Sequence, residues 1–245
     1  MDSGYYAACT ALISRTQELD TIANNLANAS TAGFRAEKDI FSEVLATAGN
    51  PSGSALDQAM NTFGVVSGTT LDSSQGALQK TGNNLDMAIE GRGYFEVQTT
   101  GGLVYTRNGA FQISAQGQLM TGQGDAVMGQ GGVINMPPGP VSVSSDGTIS
   151  SNGAVVGKIK VVEFPAGTQL SSLGNSYYSA PPKTAQPATE SSVRQGMIES
   201  SNVNPILNMV QLVNAQRSAE MMQRALSMFN SEIDKTATQD LPKVG

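Results

Sequence analysis

Five carboxylates, Asp86, Glu90, Glu96, Asp125 and Glu163, are the side chains of this sequence best suited to chemistry. A pair of them could serve as general acid and base, as in glycoside hydrolysis, which needs no histidine. Other routes are closed by composition: the 245 residues contain no histidine, no tryptophan and one cysteine, Cys9. Without imidazole there is no Ser-His-Asp or Cys-His nucleophile pair. A structural zinc site would need four thiolates, and a lone cysteine cannot close a disulfide within the chain. Gly153-Ala154-Val155-Val156-Gly157-Lys158 falls one residue short of a phosphate loop and continues into Ile159, so a hairpin followed by a strand is expected there. Gly122-Gln123-Gly124 lacks the third glycine of a dinucleotide site and reads as a turn. The five carboxylates each fall in a turn or on an exposed strand phase, where solvation is their expected role. Asn28-Ala29-Ser30 matches a glycosylation acceptor at a helix end, and Cys9 reads as a small core residue. The expectation is a protein that is not an enzyme and uses no cofactor or metal.

The overall balance points to assembly. The formal charge is -6, and the basic residues are scattered from Arg15 to Lys243, so no surface that tracks nucleic-acid phosphates is expected. Charged residues make up 14% of the chain, against about 25% in an ordinary soluble domain, and aromatics only 5%. Such a chain has few charges to hold neighbours away and few large rings for a deep core, which fits a surface covered by other subunits. No stretch approaches the roughly 18 apolar residues of a membrane helix. The opening Met1-Asp2-Ser3-Gly4 lacks the basic and apolar regions of a signal peptide, which predicts a cytoplasmic or non-classically exported protein.

Positioning falls to two long helices and a β body. Tyr5, Leu12, Leu19 and Leu26 recur every seven residues, with Ala8, Ile22 and Ala29 between them, and no proline or glycine interrupts Tyr5 to Ala29. This is a heptad pattern. Ser30 to Gly33 stops the helix, with Gly33 suited to a left-handed turn. At the other end Asn204 and Pro205 make a helix start, after which Leu212, Ala215, Ala219, Met222, Leu226, Phe229 and Ile233 follow steps of three and four. From Asp86 to Phe164 the pattern becomes alternating strands around Asn108-Gly109, Asp146-Gly147 and Asn152-Gly153, dipeptides that favour tight hairpins. The expected fold is α+β: long N- and C-terminal helices pairing as a coiled-coil domain, with an inserted antiparallel β domain. The boundaries are 1–35 plus 199–245 for the helical domain, 36–84 for an extended connector and 85–198 for the β-rich domain with its return linker.

Three stretches resemble the flagellar basal-body rod and hook proteins. The first is Ala23-Asn24-Asn25-Leu26-Ala27-Asn28 with Ser30-Thr31-Ala32-Gly33-Phe34-Arg35. The second is Asn84 to Phe95 with Tyr105-Thr106-Arg107-Asn108-Gly109-Ala110-Phe111 and Gly117 to Thr121, and the third is Ser201-Asn202-Val203-Asn204 with Met209-Val210 and Gln216-Arg217. The opening Met1 to Ala8 and the short Phe41 to Phe63 connector look more like the proximal-rod members than the distal-rod ones.

The resemblance implies a structural subunit of the rod that carries torque from motor to hook, built by helical assembly with other proximal and distal rod subunits. It further implies export from the cytoplasm through the flagellar type III apparatus without a cleaved signal peptide, and Phe41 and Leu45 fit the family's export pattern. The implied assembly residues are Leu12, Leu19, Ile22, Asn24, Asn25, Leu26, Asn28, Leu212, Leu226, Phe229 and Ile233, the asparagines setting register. A carbohydrate-cleaving enzyme and an adhesive binding module stay open beside this function, separable by a carboxylate whose loss abolishes turnover and by a ligand pocket in the β body.

Overall fold

A computed structural model describes residues 2–45 and 62–239, with side chains placed at 9–40, 68–228 and 231. Helix α1 spans Asp2–Ala27 and helix α2 spans Pro205–Gln239. The strands are β1 (Glu37–Leu45), β2 (Thr62–Leu71), β3 (Leu78–Lys80), β4 (Met87–Glu90), β5 (Tyr94–Thr99), β6 (Gly102–Thr106), β7 (Phe111–Ile113), β8 (Leu119–Thr121), β9 (Ala126–Gly129) and β10 (Gly132–Val133). They continue as β11 (Val141–Val143), β12 (Thr148–Ser151), β13 (Ala154–Lys158), β14 (Val161–Glu163), β15 (Ser171–Gly174), β16 (Tyr177–Ser179), β17 (Gln186–Pro187), β18 (Ser192–Gln195) and β19 (Met197–Glu199). The chain divides into two compact units: residues 1–26, 37–69 and 205–245 form one, and residues 27–36 and 70–204 form the other.

The first unit holds both helices and the paired strands β1 and β2. The α+β class stands, but the expected coiled-coil pairing of the terminal helices does not. On α1 the buried residues are Ser14, Ile22 and Asn25, while the heptad positions Leu12, Leu19 and Leu26 are only half-buried. The reason is polar. Asn25 Nδ2 donates to the Glu37 carbonyl and Asn25 Oδ1 accepts from the Glu37 N–H, both at 2.8 Å, and Thr21 Oγ1 donates to Asp39 Oδ1 at 2.8 Å. These bonds turn α1 toward the backbone of β1, a partner that a count of apolar residues cannot register. On α2 the buried residues are Ala215 and Ala219, flanked by half-buried Leu212, Met222 and Leu226. Between the helices, with β1 as a third wall, lies a cleft of roughly 300 Å³ lined by Glu18, Thr21, Asn208, Gln211, Asn214 and Ser218 among others. A polar cleft is no knobs-into-holes seam.

The second unit is antiparallel. Its largest sheet runs β15-β16-β6-β5-β9-β8-β7, with β10, β14 and β17 attached. A three-stranded sheet β11-β12-β13 and the pairs β18-β4 and β19-β3 complete it. Alternation along the strands sends Met87, Ile89, Phe95, Leu119, Val127 and Ile149 into one core, all fully buried. A smaller cluster of Tyr94, Val162 and Tyr178 packs with Phe164, with edge-on ring contacts at 5.6 and 5.9 Å from Tyr94.

The dipeptide turns divide. Asn152-Gly153, with φ of 51° and 81°, joins β12 to β13 as a hairpin, and Gly147, with φ 83°, turns β11 into β12. Asn108-Gly109 is not a hairpin, because β6 pairs with β5 and β16 while β7 pairs with β8. Asn108 Oδ1 instead accepts from the Ala110 N–H, and Gly109 lies so close to β4 that a Cβ would stand 1.6 Å from the Met87 carbonyl oxygen. Gly109 is a packing glycine rather than a turn glycine. Gly109→Ala is therefore expected to destabilise the β body by about 3 kcal/mol or more. Gly157→Ala, where an added Cβ meets nothing within 4 Å, should stay within about 0.5 kcal/mol of the parent in urea unfolding.

Candidate functional site

The most heavily constrained place in the β body is a buried charge trio. Arg35, Arg107 and Glu199 are each 1% exposed. Arg35 Nη1 lies 2.9 Å from Glu199 Oε1, and Arg107 Nη1 lies 3.1 Å from Glu199 Oε2. Each residue reaches the site by a separate local device. Arg35 follows the turn that ends α1, where Gly33 takes φ +68° and donates its N–H to the Glu199 carbonyl at 2.8 Å. A Cβ on Gly33 would stand 2.2 Å from the Asn108 nitrogen, so that turn requires glycine for both its angle and its space. Arg107 directly follows β6, and Glu199 closes β19, whose register with β3 pairs Glu199 with Leu78.

Hydrogen bonds distribute the charge. Glu199 Oε1 also accepts from the Gly76 N–H at 2.9 Å. Arg35 Nη1 donates to the Ser74 carbonyl, and Arg107 Nη2 donates to the Gly91 carbonyl at 2.7 Å. The Arg107 guanidinium sits 4.8 Å from the centroid of the Tyr94 ring. Burial lowers the Arg107 pKa, and the Glu199 carboxylate opposes that shift. Tyr178 takes the Arg35 N–H on its hydroxyl oxygen at 2.9 Å, and burial pushes its phenol far above the ordinary range.

Asn202 braces the same place. Its Oδ1 accepts from the Ala36 N–H at 2.7 Å, and its Nδ2 donates to the carbonyls of Asp72 and Ser74, each at 3.0 Å. The Asp72 N–H closes the ring by donating to the Ala36 carbonyl at 2.8 Å. Residues 35–36, 72–76 and 199–202, where the chain enters or leaves the β body, are thus tied to one another.

The five candidate carboxylates are spent on structure. Glu96 is 3% exposed and pairs with Lys160 at 2.7 Å, and Asp86 is 9% exposed and accepts from Asn83 Nδ2 at 3.0 Å, so neither is the solvated side chain expected. Glu90 pairs with Arg194 at 2.7 Å, whose hydrogen bond and charge lower its pKa. Asp125 Oδ2 accepts from the Tyr177 hydroxyl at 2.8 Å, and Glu163 Oε1 accepts from Ser191 Oγ at 2.6 Å. The Tyr177 phenol, pushed up to about 12 by burial first and by Asp125 as well, stays protonated and keeps donating at neutral pH.

Of the assembly residues inferred from sequence, Ile22 and Asn25 are buried, Leu12, Leu19, Leu26, Asn28, Leu212 and Leu226 are half-buried, and Asn24 is exposed. Phe229 and Ile233 belong to α2, and Phe41 and Leu45 to β1, with all four side chains outside the described residues. The structure adds a second apolar stripe on α2. Ile206, Met209, Val210 and Val213 are 76%, 54%, 54% and 45% exposed, and Met221 and Met228 extend that face. At 3.6 residues per turn this stripe lies opposite Ala215 and Ala219. Its i, i+3, i+4, i+7 spacing is visible in the sequence, masked by the longer Leu212 to Ile233 pattern beside it.

Glu199→Gln should destabilise the β body by about 3–5 kcal/mol, because two buried guanidinium groups lose the one acidic partner they have among the described residues. Glu90→Gln, at an exposed pair, should cost no more than about 1 kcal/mol in the same urea titration.

Each member of the trio lies in a different region of known kinship. Residues 6–35 match the family model of the flagella basal body rod protein, residues 88–156 that of the flagellar hook protein FlgE/F/G D1 domain, and residues 194–239 that of the flagellar basal body rod FlgEFG protein C-terminal region. The flagellar basal-body rod protein FlgF of Caulobacter vibrioides is 34% identical over 248 aligned residues, covering 100% of both chains. FlgF of Mesorhizobium japonicum is 37% identical over 226 residues and 90% of each chain, and FlgG of Buchnera aphidicola subsp. Baizongia pistaciae 33% identical over 263 residues, 98% of this chain and 97% of its own. The chain therefore belongs to the flagellar basal-body rod protein family: it is a FlgF-like structural subunit of the basal-body rod that assembles with other rod and hook proteins, and not an enzyme.

Proposed function

We propose that this chain is a proximal-rod subunit, polymerising into the drive shaft that passes torque from the motor to the hook. The observation that carries this reading is the outward stripe Ile206, Met209, Val210 and Val213. A helix that already buries Ala215 and Ala219 on one face and still exposes an apolar stripe on the other has a second surface to cover. Covering it with a neighbouring subunit would contribute about 25 cal/mol per Å² of apolar area. Half-buried Leu212 and Leu226 lie on the Ala215–Ala219 face of α2, and half-buried Leu12, Leu19, Leu26 and Asn28 with exposed Asn24 lie on α1; in this proposal they supply a second set of subunit contacts. Asn25 is already engaged by Glu37 and sets the local geometry from within. Contacts of this kind between unlike faces grow a helical shaft rather than a closed ring.

The route to the rod in this proposal is flagellar type III export. The Phe41 and Leu45 pattern supports it. A distal-rod role is the second reading, favoured by the 33% identity to a FlgG protein over nearly the whole chain.

Val210→Asp should leave the β body folded by circular dichroism and abolish swimming in a strain that depends on this chain. Val155→Asp, at a residue 72% exposed on β13, should swim normally, and equal swimming of the two variants would remove the stripe from the interface. Restoring motility to a strain lacking its FlgF, and not to one lacking its FlgG, is the result expected of a proximal-rod subunit; the converse would place the chain in the distal rod.

A further inference from the structure

The β body contains a pocket of roughly 690 Å³ bordered by the Asp72–Gln75 segment, the Gly91–Tyr94 segment and the Phe164–Leu170 segment, with Arg107 in its wall. Its volume falls in the range that holds small organic ligands. Three features give it a chemical preference. The first is charge: two guanidinium groups, Arg92 and Arg107, line it against one carboxylate, Asp72. Behind that wall the Arg35, Glu199 and Arg107 trio carries two positive groups and one negative, one charge in excess. The second is an unmet donor. Arg107 is 1% exposed, yet its Nε has no hydrogen-bond partner among the described residues. Its Nη2 reaches the carbonyl of Gly91, which lines the same pocket. The third is an apolar surface, supplied by Tyr94, Phe164 and Leu170, whose two rings meet edge-on at 5.6 Å.

We propose that this pocket binds an organic carboxylate with a flat ring body. The carboxylate faces Arg92 and Arg107, and the ring lies against Tyr94 and Phe164. Buried positive charge left in excess is costly, and an anion brought beside it recovers part of that cost. Arg92 is exposed and makes no ion pair among the described residues, so its fork is free to take a carboxylate in bidentate geometry.

The test is an NMR titration of the full chain, following Arg Nε–Hε and aromatic ring resonances, with benzoate as probe and benzamide as its neutral isostere. Saturable shifts with benzoate at the Arg107 Nε–Hε and at the Tyr94 and Phe164 rings are expected. Benzamide should bind at least about tenfold more weakly, and Arg92→Gln, an exposed change that leaves the core intact, should weaken benzoate by roughly the same factor. Saturable binding of benzoate in preference to benzamide supports the site. Equal binding of benzoate and benzamide, or no saturable shift at Arg107, would overturn it.

Discussion

Closing Glu199 onto Arg35 and Arg107 is the constraint on which the β body depends. The three residues are separated by 72 and 92 positions along the chain, counting 107 − 35 and 199 − 107, so they meet only after the body has folded around them. Removing three such groups from water costs several kcal/mol each unless geometry and hydrogen bonds compensate. Here the compensation comes from the Gly76 N–H, the carbonyls of Ser74 and Gly91 and the Tyr94 ring. Tyr94 belongs to β5, Gly91 to the bend before it, and Ser74 and Gly76 to the segment that Asn202 and Glu199 tie down, so this set of partners exists in one arrangement of the surrounding chain.

Much of the fold can be read from the residues alone. Both helices follow from periodicity and from the absence of internal proline, the Gly33 turn from its glycine, and the hairpin at Asn152-Gly153 from its dipeptide. Two things cannot. The face that α1 buries is chosen by Asn25 and Thr21 bonding to β1, and apolar spacing is silent about polar docking. Asn108-Gly109 has the composition of a hairpin turn, yet its glycine is required by the carbonyl of Met87, which lies 22 residues away in sequence (109 − 87) and directly against it in space. Long-range contact overrides local preference at both places.

The candidate site shows the same division. Arg35 and Arg107 stand inside stretches whose family resemblance is plain, but nothing in the sequence pairs them with Glu199, since a lone glutamate at a strand end reads as surface. Burial inverts that reading. Glu96 and Asp86 make the same point, being buried and paired where alternation alone placed them in solvent. The composition is more informative. Scarce charge and few rings fit a chain that gathers three buried charges at one junction and leaves an apolar stripe on α2 for a neighbour.

A junction made of charges rather than leucines has a physical rationale in a subunit that must carry load. Apolar packing is non-directional, so segments joined by it can slip to nearby registers at small cost. A slip of one residue at Glu199 would move its carboxylate to the other face of β19, because side chains alternate along a strand. Two buried guanidinium groups would then be left without an acid, at a cost of about 3–5 kcal/mol. Asn202 adds to this, since its amide bonds Ala36, Asp72 and Ser74 with both oxygen and nitrogen engaged, and a shifted strand would lose all three. Resistance to slip, more than net stability, is what the buried trio and Asn202 supply to the segments that lead into the helices.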